Sequence, residues 1–144
     1  VQKVSQASIT INGEEGSSIG RGFVVFVGIG ANDGKAEAEK IWKKISKLRI
    51  FEDENGKTNL DLETVGGSLL IVSQFTLLAD CKKGNRPSFI EAARPEVSEP
   101  LYEYFISLAK ADYDDVQTGE FGADMQVALV NDGPFTIWLE TKDL

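Results

Sequence analysis

Apolar positions along this chain keep two rhythms, one of period two and one of helical spacing. From Val1 to Ile11, Val4, Ile9 and Ile11 stand among polar neighbours, and Asn12-Gly13 follows, a pair that tolerates positive φ at both turn positions. This predicts a first strand and hairpin, with Glu14 to Ile19 as the return strand. Gly20-Arg21-Gly22 then turns into Phe23-Val24-Val25-Phe26-Val27-Gly28-Ile29, a run apolar enough to be covered on both faces. From Ala36 to Leu48 the rhythm changes. Ala38, Ile41, Ile45 and Leu48 recur at helical spacing while Lys43, Lys44 and Lys47 fall toward water, which predicts the first helix.

Ile50-Phe51 reads as a short strand and Asp53-Glu54-Asn55-Gly56 as a turn. Gly66-Gly67 introduces a strand from Ser68 to Leu78 that starts apolar and becomes polar at Ser73, Gln74 and Thr76. Polar side chains inside such a run are costly unless hydrogen-bonded, so they mark either a satisfied network, a sheet edge or a site at the strand's end. Asp80 to Pro87 is a basic loop, and Ser88 is placed to cap a short helical turn through Ile90-Glu91-Ala92. A second helix begins near Pro95 to Pro100, with Leu101, Phe105 and Leu108 as its apolar stripe. Two last strands, Met125 to Val130 and Phe135 to Leu139, flank Asn131-Asp132-Gly133-Pro134. Asn, Asp, Gly and Pro compose ordinary turns, and Pro134 has no N–H to give a sheet ladder. The whole reads as one compact α/β domain, 1–144, with two main helices.

Composition narrows the chemistry. The 144 residues include no His and a single cysteine, Cys81. That removes His-based triads, imidazole acid–base work, internal disulfides and multi-cysteine zinc sites, and no cofactor or metal is expected. A lone Cys fits a reducing, cytoplasmic setting. No apolar run approaches the roughly 20 residues a bilayer span requires, and no basic-then-apolar leader opens the chain. The sequence starts at Val1, already within a strand, so a few leading residues are expected to precede it. A net charge of −8 argues against non-specific nucleic-acid binding, with Lys82-Lys83-Gly84-Asn85-Arg86 as a local basic exception. Gly28 to Lys35 imitates a phosphate-binding loop, but Ile29 stands where its first glycine belongs and Ala36 where Ser or Thr belongs.

Two segments taken together carry more. Ser73-Gln74-Phe75-Thr76-Leu77 and Asn131-Asp132-Gly133-Pro134-Phe135-Thr136 match the two signature motifs of the D-aminoacyl-tRNA deacylases, and the chain resembles that family over essentially its whole length. Leu48-Arg49-Ile50-Phe51, Lys83 to Phe89 and Thr118 to Met125 extend the similarity. The resemblance implies a barrel-like sheet, a homodimer, and hydrolysis of the ester at the 3′ end of D-aminoacyl-tRNA; hydropathy and charge leave no membrane or DNA partner expected, and a filter made of backbone predicts glycyl-tRNA as a further substrate. The resemblance also implies a cis Gly133-Pro134 bond reaching into the partner's active site, where the two carbonyls exclude an L side chain. Ser73, Gln74, Phe75 and Thr76 become the catalytic segment. Without a His to activate it, Thr76 is a poor nucleophile, so assistance by the ribose 2′-OH is favoured, with the Phe75 and Thr76 N–H groups as oxyanion donors. Phe121 and Met125 match the adenosine pocket, Lys3, Asn131 and Thr136 support the Gly-Pro motif, and Lys82, Lys83 and Arg86 are candidates for phosphate contacts. Lys3 stands where family members usually carry Arg, an exchange that loses the planar fork. Two rival readings are a tRNA-binding module without activity and an esterase on D-aminoacyl substrates without RNA.

Overall fold

The computed structural model describes residues Val1–Leu144. Its frame is one mainly antiparallel sheet, entered by the hairpin of β1 (Gln2–Ile11) and β2 (Glu14–Ile19). Asn12 and Gly13 both take positive φ in its turn. β3 (Gly22–Val27) continues along the same edge of β1 in the register of β2, so the two form one bent strand. α1 (Lys35–Ile45) follows, in the crossover that brings the next long strand parallel to β3.

A small hairpin, β4 (Phe51–Glu52) with β5 (Thr58–Leu60), and the one-turn α2 (Leu62–Val65) lead into β6 (Ser68–Ser73). β6 pairs in parallel with β3 from Gly22↔Ser68 to Val27↔Ser73, and with β7 (Val116–Thr118) on its other side. Between them runs α3 (Pro95–Asp112), with Pro95 in the first turn where its missing N–H costs nothing. β8 (Met125–Thr136) covers the remaining edge of β1. The sheet curls into a nearly closed barrel, β2 bending back so that the Ser17 hydroxyl donates to the Thr118 carbonyl at 3.4 Å.

Strand alternation divides the core in two. Val4, Ala7, Ile9, Ile19, Val24, Leu70 and Val72 fill the barrel, while Phe23, Val25, Leu69 and Ile71 point outward against the helices. There α1 presents Ala38, Trp42 and Ile45, and α3 presents Leu101, Tyr102, Phe105, Ile106 and Ala109. The Trp42 ring meets Phe105 and Tyr113 edge-on, and its indole N–H donates to Asp112 at 2.8 Å. No helix is long and apolar enough to cross a membrane.

Three sequence expectations change. The strand expected to run to Leu78 ends at Ser73, and Phe75–Leu78 is a 3₁₀ turn. Beyond Val27 there is no strand left for it to pair with, and a lone extended chain would leave its backbone unsatisfied. Ser88 caps no helix; its backbone exchanges two bonds with Asp80, closing the basic loop at its base. The last two strands are a single β8. Val4 pairs with Asn131 and Gln2 with Thr136, so Asp132 to Phe135 bulge out of a continuous ladder instead of ending it.

Replacing Phe105, 1% exposed between Trp42 and the sheet, with Ala is expected to cost about 3–5 kcal/mol. Urea unfolding followed by Trp fluorescence measures this, and a loss under about 1 kcal/mol would contradict the packing described.

Candidate active site

Where β3 and β6 stop together, the chain folds over the end of the sheet. The Gln74 N–H makes the last bond to β3, donating to the Val27 carbonyl at 2.8 Å. The Leu77 N–H donates to Gln74 and that of Ala79 to Thr76, which closes the 3₁₀ turn. Phe75 and Thr76 open this turn, and the leading N–H groups of such a turn have no partner within it. Gly28 permits the arrangement. A Cβ there would lie 2.6 Å from the Leu78 side chain and 3.2 Å from the Gln74 carbonyl.

A cleft of about 730 Å³ opens beside this turn. Ser73, Gln74, Phe75 and Thr76 form one wall, with Phe75 and Thr76 exposed. Phe121, Gly122, Ala123, Asp124 and Met125 form the opposite one. The second wall is fixed to the β1–β2 turn: the Asn12 N–H donates to the Asp124 carbonyl at 2.8 Å, and the Asp124 N–H to the Asn12 side chain at 3.2 Å. Phe89 closes one end, its ring edge-on to Phe75 at 5.0 Å, and Ala92 to Pro95 with Ser98 and an apolar floor of Val27, Ile29, Val72 and Val127 make up the rest of the lining. The Ala93 N–H donates to Ile29 and that of Ala31 to Glu91, tying this segment to the chain after β3. Arg94 and Asp124 are the only charged residues on the lining.

The structure thus brings together Ser73, Gln74, Phe75, Thr76, Phe121 and Met125. Lys82, Lys83 and Arg86 stay exposed on the loop between Asp80 and Ser88 and do not line the cleft. Gly133 and Pro134 do not line it either. They sit exposed on the bulge of β8, joined by a cis peptide bond, with Gly133 at φ 140, a region that favours glycine.

A small polar cluster brackets that bulge. The Asn131 side chain donates to Gln2 Oε1 at 2.6 Å and to Thr136 Oγ1 at 2.8 Å, and its Oδ1 accepts the Phe135 N–H at 2.6 Å. The Thr136 hydroxyl donates to Gln2 Oε1 at 3.0 Å. Lys3 is 8% exposed and makes no ion pair; its Nζ lies 5.6 Å from the ring centroids of both Phe51 and Phe135. It therefore reaches the bulge through a cation–π contact with the residue after Pro134, a mode that does not need a guanidinium fork.

A family model described as D-Tyr-tRNA(Tyr) deacylase matches residues 1–140. The chain belongs to the D-aminoacyl-tRNA deacylase family. Among its relatives, the D-aminoacyl-tRNA deacylase of Lactobacillus gasseri is 56% identical over 141 residues, 97% of each chain. That of Bacteroides thetaiotaomicron is 53% identical over 144 residues, 99% of this chain and 96% of the other. By name these deacylases are hydrolases. Among solved structures, the c-Myc DNA Unwinding Element Binding Protein superposes with a TM-score of 0.90 at 43% identity, covering 96% of this chain and 95% of that one. A probable eukaryotic D-amino acid tRNA deacylase, 18% identical, shares the fold at a TM-score of 0.74 over 91% of each chain.

Sequence reasoning missed Gln2, Phe89, Arg94 and Ser98 as members of these sites. Only Gly28 carried a signal, since an isolated glycine in an apolar strand pattern marks a close backbone approach. Asn131→Ala is expected to lower stability by about 1–2 kcal/mol, because it strands the Phe135 N–H and leaves Gln2 Oε1 with the Thr136 hydroxyl alone. Denaturant titration checks the loss, and a chemical-shift change confined to residues near Gln2 and Phe135 checks its origin.

Proposed function

We propose that this protein hydrolyses the ester of D-aminoacyl-tRNA, releasing free tRNA and a D-amino acid, and that glycyl-tRNA is accepted as well. The observation that carries the reading is the cleft lined by the opening residues of the Phe75–Leu78 turn together with Phe121 and Met125. The adenine of the tRNA end stacks on Phe121 beside Met125, which places the ester carbonyl against the turn. The Phe75 and Thr76 N–H groups receive the oxyanion, Ser73 and Gln74 hold the segment, and Thr76 positions the substrate. A water oxygen bonds to the carbonyl carbon, the ester C–O bond breaks, and the departing ribose oxygen takes a proton. The neighbouring 2′-OH orients the water, a role that suits a chain with no His.

Chiral selection on this reading belongs to the Gly133 and Pro134 carbonyls. These residues are exposed and lie outside their own chain's cleft, so a homodimer is proposed in which each bulge enters the partner's site. Discrimination by collision with backbone is indifferent to side-chain chemistry and leaves D-amino acids of many kinds as substrates. Asn131, Thr136 and Lys3 hold the bulge in shape. Lys82, Lys83 and Arg86 meet tRNA phosphates, joined by Arg94 at the cleft itself. The net charge of −8 disfavours DNA as a partner. The proposed setting is the cytoplasm, with residues 1–144 acting as one deacylase domain and no metal taking part.

Deacylation of D-tyrosyl-tRNA and L-tyrosyl-tRNA at matched protein concentration tests the reading. Rapid loss of the D ester with the L ester spared is expected. Equal hydrolysis of both would remove the carbonyl filter, hydrolysis that uncharged tRNA cannot inhibit would favour a non-RNA ester, and none of either would leave a binding module. Thr76→Ala is expected to weaken catalysis by about tenfold through poorer placement. A collapse of about 10⁴-fold with tRNA affinity intact would instead make Thr76 the nucleophile.

A further inference from the structure

Tyr102 lies behind the cleft and outside its lining, on the buried face of α3, and is 1% exposed. Its hydroxyl donates to the Ile71 carbonyl at 2.9 Å, a bond made across 31 residues of chain. The same carbonyl accepts the Gly119 N–H at 3.1 Å, the last backbone bond β6 receives from the β7 side. Past Gly119 the chain leaves β6 to form the Glu120–Asp124 turn, so β6 has no strand neighbour on that side at Ser73. The Tyr102 hydroxyl occupies that position, where the Ser73 N–H also faces it. Burial pushes the hydroxyl's pKa up, which keeps it a proton donor throughout the neutral range. The Tyr102 ring packs against Phe121, centroids 6.0 Å apart. One side chain therefore touches the strand that ends in the Ser73–Thr76 segment and the aromatic residue of the opposite wall.

We infer that Tyr102 is a positioning residue for the reaction: its hydroxyl fixes the end of β6, its ring fixes Phe121, and together they set the spacing between the two walls of the cleft. The inference rests on the deacylase reading of that cleft. Phe121 binds one end of the substrate and the Phe75–Leu78 turn acts on the other, so an error in spacing falls on the chemical step more than on binding. The Gly119 N–H ties the Glu120–Asp124 turn to the same Ile71 carbonyl, and Tyr102 adds the side-chain link that also reaches Phe121.

Tyr102→Phe keeps the ring and deletes the bond to Ile71; Tyr102→Leu deletes both. Assayed on D-tyrosyl-tRNA well below the unfolding temperature of either variant, Tyr102→Phe is expected to lower kcat about tenfold with KM within about twofold of the parent. Tyr102→Leu is expected to raise KM in addition, because Phe121 loses its support. Amide hydrogen exchange supplies a readout independent of activity. In Tyr102→Phe, exchange at Ser73, Gln74, Leu77 and Gly119 should accelerate at least about tenfold, with the β4–β5 hairpin unchanged. Unchanged kcat together with unchanged local exchange would overturn the inference, as would faster exchange spread evenly over the chain, which marks a purely structural tyrosine. If the parent protein hydrolyses no ester, the deacylase reading fails, while the exchange comparison still decides whether Tyr102 sets the two walls.

Discussion

Everything at the cleft depends on where one hydrogen-bond ladder stops. β6 is held in parallel by β3 and on its other side by β7, and its residues from Leu69 to Val72 are buried on both faces. A strand so enclosed cannot slide, because a shift of one residue would turn Leu70 and Val72 out of the barrel and Leu69 and Ile71 into it. Its end is therefore fixed in space. Gln74 makes the final bond to Val27, and the backbone that follows has N–H groups to spare. The rigid interior of the sheet thus delivers a pair of opening amides to one point at its rim, which is the kind of preorganisation that oxyanion stabilisation requires.

The opposite wall is positioned by different means. Phe121 sits in a short turn between β7 and β8, held by the Asn12–Asp124 bonds at one end and by Tyr102 from behind. The first wall is thus fixed by sheet pairing, and the second by the Asn12–Asp124 bonds together with the Tyr102 ring. In a protein without histidine this division makes sense chemically. Catalysis that relies on placement and fixed dipoles needs accurate distances more than it needs a group poised to titrate.

Much of this was legible in the sequence. The apolar runs at Phe23–Val27 and Leu69–Val72 announced strands covered on both faces, and α1 and α3 followed from their helical spacing. The polar residues Ser73, Gln74 and Thr76 signalled a site at a strand's end, although the strand was read five residues too long. Periodicity could not show that error, since Phe75, Leu77 and Leu78 are apolar enough to continue a strand and only the loss of a pairing partner stops it. The bulge at Asp132 to Phe135 was hidden for a related reason. Asn-Asp-Gly-Pro has the composition of a turn, and only the long register of β1 against β8 shows the ladder resuming at Thr136. Arg94, Gln2 and Tyr102 gave no local signal. Their places come from helix and strand packing across distant parts of the chain.

The bulge on β8 also bears on what can pair with the open edge of the sheet. β8 is twelve residues long and pairs only with β1, which leaves its outer backbone edge free. A long flat edge invites endless addition of further strands, the first step toward fibres. Here the edge is broken near its end by a proline without an N–H, a glycine at positive φ and three residues out of register. Any strand laid along β8 loses its pairing at that point. Whatever these residues do for a substrate, they also cap the sheet, and a change that straightened them would expose an uninterrupted template for aggregation.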